Sequence, residues 1–206
     1  PTTAALEEKI TRMEDGISTA TFGSGMGAIS ATLLSLLRAG DHLIASRFLF
    51  GNTTSLFETF ARLGVEVTFV DATDAAHVQA ALRPETRMVF VETIANPCTQ
   101  VADLEGIGQL CDKNKILLVV DNTVTSPYLF RPKSVNASLV INSLTKYIGG
   151  HGNALGGAVT ETGCFDWSTY PNLLDMYKKG NPALWGITQI RKKGLRDAGA
   201  TLGPEA

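Results

Sequence analysis

Charged and apolar side chains alternate at helical spacing over residues 3–14, and Asp15-Gly16 ends the run, which predicts an amphipathic opening helix. Residues 17–22 lead into Gly23-Ser24-Gly25-Met26-Gly27, and a strongly apolar helix is predicted over 28–37, closed by Ala39-Gly40. From there a short β-branched run and a helical pattern repeat. Strands are predicted over 42–47, 65–70, 88–92 and 116–121, with helices over 52–63, 74–82 and 104–113 between them. Such alternation builds a mainly parallel sheet covered by helices, so the expected fold class is α/β, a three-layer helix-sheet-helix domain. Two more strands, 139–142 and 155–160, flank a lysine-bearing loop and complete the sheet. After Gly163 the pattern is broken by Trp167, Tyr170, Pro171, Pro182 and Trp185, with a basic helix near 191–196; this stretch reads as an exit from the domain. Repeats and low-complexity tracts are absent.

Composition narrows the class. With 44% apolar residues among 206, the chain can bury a substantial core as one large domain. Its 18 basic and 20 acidic residues are spread without blocks, which argues against nucleic acid or an anionic membrane as partner and for a small molecule. No apolar stretch approaches the roughly 18 residues of a membrane span, and the N-terminus lacks the basic region and apolar core of a signal peptide. A cytoplasmic protein is the simplest expectation. Cys98, Cys111 and Cys164 are far apart with no C-x-x-C pair, so neither a disulfide framework nor a metal site is expected; they read as reduced packing residues.

Lys146 lies in Ser143-Leu144-Thr145-Lys146-Tyr147-Ile148-Gly149-Gly150-His151-Gly152, an amine between two hydroxyls at a glycine-rich bend. Once deprotonated, an amine placed this way can attach a phosphorylated aldehyde, with Ser143 and Thr145 beside it for the phosphate; a solvated surface lysine is the plainer alternative. Gly25 and Met26 would offer backbone N–H groups at a helix N-terminus, a cradle for an anion. The same turn matches G-x-G-x-x-A across Gly23, Gly25 and Ala28, the fingerprint of a nicotinamide dehydrogenase, and a tight turn without a ligand is a third reading. The ribose-binding acid of a dehydrogenase should end the next strand. Asp41 instead precedes that strand, which ends at Ser46-Arg47.

Asp121 closes the most hydrophobic run, Ile116-Leu117-Leu118-Val119-Val120, at the carboxyl edge where open α/β sheets place ligands. Against a pyridine ring, its carboxylate would keep the ring nitrogen protonated and make the ring an electron sink; capping a turn at Asn122-Thr123 is the alternative. Glu92 ends another strand ahead of Asn96-Pro97, and Asn96 could hydrogen-bond a phenolic oxygen or form an ordinary turn. Phe50 could lay its ring over a planar cofactor or sit in the core.

Taken together, Val120-Asp121-Asn122-Thr123, Ser143-Leu144-Thr145-Lys146-Tyr147 and Gly149-Gly150-His151-Gly152-Asn153 resemble the fold-type-I pyridoxal-phosphate enzymes of cysteine and methionine metabolism. That family holds cystathionine synthases and lyases, methionine gamma-lyase and O-acylhomoserine sulfhydrylases, and the resemblance spans nearly the whole chain. It implies pyridoxal 5'-phosphate as cofactor, attached to Lys146, which after release serves as general base. It places Asp121 at the pyridinium nitrogen, Asn96 at the ring hydroxyl oxygen, Thr123 beneath the ring and Phe50 over it. Ser143, Thr145 and the Gly25 and Met26 amides would hold the phosphate. Elimination at the gamma carbon of an amino-acid substrate then gives an unsaturated intermediate that accepts a thiol or is hydrolysed to a keto acid.

Phe50 stands where the family usually has tyrosine, so stacking is kept and the phenol's help in proton transfer is not. Arg47-Phe48-Leu49-Phe50-Gly51-Asn52-Thr53 and Phe165-Asp166-Trp167 are most similar to the O-acetylhomoserine or O-succinylhomoserine sulfhydrylase branch. The expected function is gamma-replacement on an O-acylhomoserine with sulfide or a thiol, giving homocysteine in methionine biosynthesis. Gamma-lyase or cystathionine synthase chemistry is the alternative within the family, and an NAD-binding dehydrogenase or a non-catalytic fragment the alternative outside it. The resemblance also implies a homo-oligomer, dimer or tetramer, and a longer protein. Its preceding segment would carry a tyrosine and an arginine to a neighbouring subunit's phosphate, and its smaller C-terminal domain an arginine for the substrate carboxylate. Residues 1–206 would then be the large cofactor domain, with weak or no turnover alone.

Overall fold

The computed structural model describes residues 2–199. Seven strands form one sheet: β1 (Ser18–Phe22), β2 (His42–Ser46), β3 (Glu66–Val70), β4 (Thr86–Glu92), β5 (Leu117–Asp121), β6 (Leu139–Ser143) and β7 (Gly157–Glu161). Their order is β1-β7-β6-β5-β4-β2-β3. All pairs from β6 to β3 are parallel, and β7 runs against both of its neighbours, so the mainly parallel α/β sheet is as expected. The helices are α1 (Thr2–Met13), α2 (Gly25–Leu36), α3 (Gly51–Arg62), α4 (Ala75–Ala80), α5 (Leu104–Asn114), α6 (Ser126–Leu129) and α7 (Trp185–Gln189).

The central strands are apolar on both sides because both sides are covered. Along β4, β5 and β6, Met88, Phe90, Leu117, Val119, Leu139 and Ile141 pack into one core with α2 and α3, while Val89, Val91, Leu118, Val120 and Val140 pack into the other with α4 and α5. This period of two has a consequence at the strand ends. Glu92, Asp121 and Ser143 continue the first set, whereas Asn122 and Asn142 continue the second.

The segment after Gly163 does not leave the domain. It folds back over α2: Trp167 is 1% exposed, and Trp167, Tyr170, Leu173, Ile187 and Ile190 all join the first core. Phe165, Trp167 and Tyr170 meet edge to face at centroid separations of 5.1, 6.0 and 5.6 Å. The Tyr170 hydroxyl donates to the Leu36 carbonyl at 2.7 Å, and the Gln189 amide to the Ser35 carbonyl at 2.6 Å, satisfying the end of α2. The expected basic helix is the π-helical stretch Ile190–Asp197, where Arg191 pairs with Glu7 of α1 at 2.9 Å. Prolines and single turns hide this packing from any periodic pattern, although the large apolar side chains that carry it are visible.

Trp167 Nε1 also donates to Glu161 Oε2 at 2.9 Å, inside a site where burial pushes the Glu161 carboxyl up to about 8. Trp167→Phe keeps most of the apolar bulk and removes that donor, so it should cost about 1–3 kcal/mol in urea unfolding, the penalty of a buried polar group left unpaired. A loss below about 0.5 kcal/mol, the size of a neutral surface change, would show that the bond contributes nothing.

Candidate active site

β1, β2, β4, β5 and β6 all point their carboxyl ends at one edge of the sheet, and each is followed there by a residue singled out in the sequence. After β1, Ser24 caps α2 by accepting from the Gly27 amide at 3.0 Å. The Gly25 and Met26 amides, in the first turn, have no acceptor among the described residues. β7 begins at the same edge with Gly157, opposite Ser143 of β6. A Cβ on Gly157 would lie 2.0 Å from the Ser24 carbonyl oxygen, and one on Gly25 would lie 2.8 Å from Ser143 Cβ. Only glycine at both positions lets the α2 turn press against the end of β6. Two free N–H groups, a helix N-terminus and the Ser143 hydroxyl therefore converge, a fit for a phosphate.

Asp121 caps the turn at Thr123 and keeps one carboxylate oxygen open. Its Oδ1 accepts from Thr123 N at 3.0 Å and Thr123 Oγ1 at 2.5 Å, a local cap, while Oδ2 accepts nothing among the described residues. Burial raises its pKa above the usual carboxylate value, opposed by the two Thr123 bonds. A cation placed at Oδ2 would favour the charged form. Thr123 Oγ1 in turn accepts from Ser143 N at 2.8 Å, locking β5 to β6.

Lys146 sits in a turn closed by bonds from Lys146 N to the Ser143 carbonyl, 3.2 Å, and from Gly150 N to the Lys146 carbonyl, 2.7 Å. Its amine is exposed and has no hydrogen bond or ion pair among the described residues. The neighbouring Thr145 hydroxyl accepts from Gly156 N at 3.1 Å and donates to Gly156 O at 3.3 Å. Phe50, 42% exposed, is no core aromatic; it caps the start of α3 after β2. Asn96 is exposed and precedes Pro97 through a cis peptide.

Two buried acids organise this edge, and their roles escaped the sequence. Glu92, 7% exposed, accepts from Phe50 N at 2.7 Å through Oε1 and from Asn96 N at 3.0 Å through Oε2. Glu14, fully buried under the strand ends, accepts from Asn122 Nδ2 at 3.1 Å and Asn142 Nδ2 at 2.6 Å. The strand-ending position of Glu92 was the available signal for the first. For Glu14 there was none beyond an acid closing an amphipathic helix. Among the described residues no three His, Cys, Asp or Glu side chains are placed to hold a metal, and no helix is long and apolar enough to cross a membrane.

An anion cradle, an acid with one open oxygen and a lysine amine unpaired among the described residues lie on one sheet edge, where open α/β folds place their ligands. The chain belongs to the family of Cys/Met metabolism PLP-dependent enzymes, whose profile matches residues 1–206. The NAD-binding alternative falls with this assignment. In the structure Asp41 lies before β2 and accepts from Asn172 Nδ2 at 2.6 Å, away from the edge where a ribose would sit. The chain is 40% identical to L-methionine gamma-lyase of Fusobacterium nucleatum subsp. polymorphum over 208 residues, covering 100% of this chain and 47% of that protein. It is also 40% identical to O-acetyl-L-homoserine sulfhydrylase of Corynebacterium glutamicum over 220 residues, 98% of this chain and 50% of that one. The solved structure of an O-acetylhomoserine sulfhydrylase from Wolinella succinogenes matches with TM-score 0.89 and 37% identity, over 100% of this chain and 57% of that chain. A Campylobacter jejuni structure described as a putative O-acetylhomoserine (thiol)-lyase carries N'-pyridoxyl-lysine-5'-monophosphate and matches with TM-score 0.87 and 30% identity, over 99% of this chain and 53% of that chain. The chain spans about half the length of the curated relatives it matches.

Proposed function

We propose that this chain is the cofactor-binding part of an enzyme that performs gamma-replacement on an O-acylhomoserine, as the acetyl or succinyl ester, with sulfide or a thiol, giving homocysteine. The observation that carries the reading is the amide cradle against Ser143 beside Asp121 with its open Oδ2. Together they suit both ends of pyridoxal 5'-phosphate, an anion at one and a protonated ring nitrogen at the other. When bound, the cofactor supplies an electron sink for charge developing on the substrate carbons.

The chain's own residues then divide the work. Gly25 N, Met26 N and Ser143 Oγ would donate to the phosphate. Thr145 would join them by turning its proton away from Gly156 O, the longer of its hydroxyl's two bonds at 3.3 Å. Asp121 Oδ2 would accept from the ring N–H, with the carboxylate held by its two bonds from Thr123, and Thr123 would lie beneath the ring. Asn96 would hold the ring hydroxyl oxygen and Phe50 would cover the ring face, excluding water. Because Phe50 has no hydroxyl, the proton moved at the substrate carbons falls to Lys146 Nζ. A homo-oligomer, dimer or tetramer, fits the apolar side chains Tyr128, Leu129, Tyr147 and Leu155, left exposed on the segments after β5 and β6.

Replacement is favoured by the likeness to sulfhydrylase structures and by the Arg47 to Thr53 run. Gamma-lyase is the second reading, supported by the equal identity to the Fusobacterium lyase. Product identity in the full-length protein decides between them. With O-acetylhomoserine, homocysteine should form only when sulfide is added, with little 2-ketobutyrate in its absence. Ketobutyrate produced at the same rate with or without sulfide would overturn the replacement reading.

A further inference from the structure

We propose that Glu92 is a positioning residue for the cofactor ring: one carboxylate, by accepting from Phe50 N and Asn96 N, sets the stacking ring and the ring-hydroxyl amide in a fixed relation to each other. The inference rests on the proposed cofactor site and adds a residue to it that touches neither cofactor nor substrate.

Three observations carry it. The bonds, 2.7 Å from Phe50 N to Oε1 and 3.0 Å from Asn96 N to Oε2, use both oxygens and join two segments 46 residues apart, the start of α3 and the turn after β4. Phe50 is the N-cap residue of α3: its carbonyl accepts from Thr53 N and Thr54 N in the first turn, and its own N–H is held by Glu92, so the clamp fixes the side of Phe50 that faces away from the helix. Glu92 itself is anchored, because it ends β4 directly opposite Asp121 of β5. The ring-nitrogen acid and the clamp thus occupy adjoining positions of the same rigid ladder.

The residue type follows from the geometry. Only a carboxylate offers two acceptor oxygens; glutamine at the same place would turn an NH2 group against one of the two amides. Keeping an acid there is costly. Burial first and the neighbouring Asp121 charge second push Glu92 up to about 7, while the Phe50 and Asn96 amides pull it down. A neutral side chain would escape that cost and lose one clamp.

The test is titration of the full-length apoprotein with pyridoxal 5'-phosphate, read by the visible circular dichroism of the bound cofactor and by its Kd. Glu92→Gln should raise Kd at least fivefold and reduce the dichroic amplitude per bound cofactor, because the ring loses its fixed neighbours. A Kd within twofold of the parent with unchanged dichroism would overturn the proposal. A second pair of variants serves if Glu92→Gln does not fold. Phe50 has φ −53°, within proline's range, so Phe50→Pro removes the ring and the N–H, while Phe50→Ala removes the ring alone. Phe50→Pro should bind at least threefold more weakly than Phe50→Ala, and equal affinities would again overturn the proposal. Loss of the visible band in Lys146→Ala, measured alongside, separates the two levels: if the band survives there, the site reading has failed; if it disappears while the Glu92 and Phe50 comparisons show no difference, only the positioning role has.

Discussion

Lys146→Ala removes the visible absorption band that the parent protein shows with pyridoxal 5'-phosphate, and lowers turnover by at least the roughly 10²–10⁴-fold that one positioned proton-transfer group supplies. The fold should not notice. The turn around Lys146 is closed by backbone bonds from Lys146 N to Ser143 O and from Gly150 N to Lys146 O, which alanine keeps, and the amine makes no bond among the described residues. Stability in urea should therefore stay within about 0.5 kcal/mol of the parent. Lys146→Arg makes the complementary point, since guanidinium keeps the charge but never deprotonates to act as a nucleophile. An unaltered band in either variant would mean that the cofactor is attached elsewhere or not attached at all.

Most of this site was readable because each residue ends a strand. A run such as Ile116 to Val120 announces a buried parallel strand, and the first polar residue after it, Asp121, must emerge where the sheet opens. The same logic placed Asn96 and Lys146 at the edge, and the glycine turn at the start of α2. What was not readable depends on contacts between distant segments. The bond between Glu92 and Phe50 joins residues 42 positions apart, and Glu14 meets Asn142 across 128. No spacing rule relates such positions, because β-strand order decides who meets whom. The reversal of β7 was likewise hidden, since an antiparallel strand at 157–161 has the same composition as a parallel one. The segment 163–199 misled for a different reason: proline-rich single turns erase periodicity while Trp167, Tyr170 and Ile190 still bury fully.

Glu14 gives the second large effect, and its sign turns on one proton. Oε1 accepts from both asparagine amides, while Oε2 and Asn142 Oδ1 are buried without partners among the described residues. Two unpaired acceptors on groups already joined through Oε1 and Nδ2 are what a neutral carboxyl and a primary amide resolve together, with a proton on Oε2 donated to Oδ1. Burial raises the Glu14 pKa from 4.5, against the two amide bonds and the Arg131 charge, the direction in which a shared proton would also move it. Glu14→Gln places an NH2 where that proton would be and keeps Oε1, so its stability at pH 5 should match the parent. Glu14→Ala strips Asn142 of its partner and leaves a cavity beneath Asn122 and Asn142, costing about 3–5 kcal/mol. The pH dependence has a fixed direction. A carboxyl whose folded pKa is raised contributes its stability below the unfolded value and loses it as pH rises through the folded one. The buried acids Glu92, up to about 7, and Glu161, up to about 8, act in the same sense, so the parent should weaken between pH 4.5 and about 8. Glu14→Gln lacks one titrating group and should therefore gain on the parent over that interval. Urea unfolding at pH 5 and pH 8 measures both quantities. If Glu14→Gln is as damaged as Glu14→Ala at pH 5, Glu14 is ionised in the native protein and the strand ends are held by charge rather than by a shared proton.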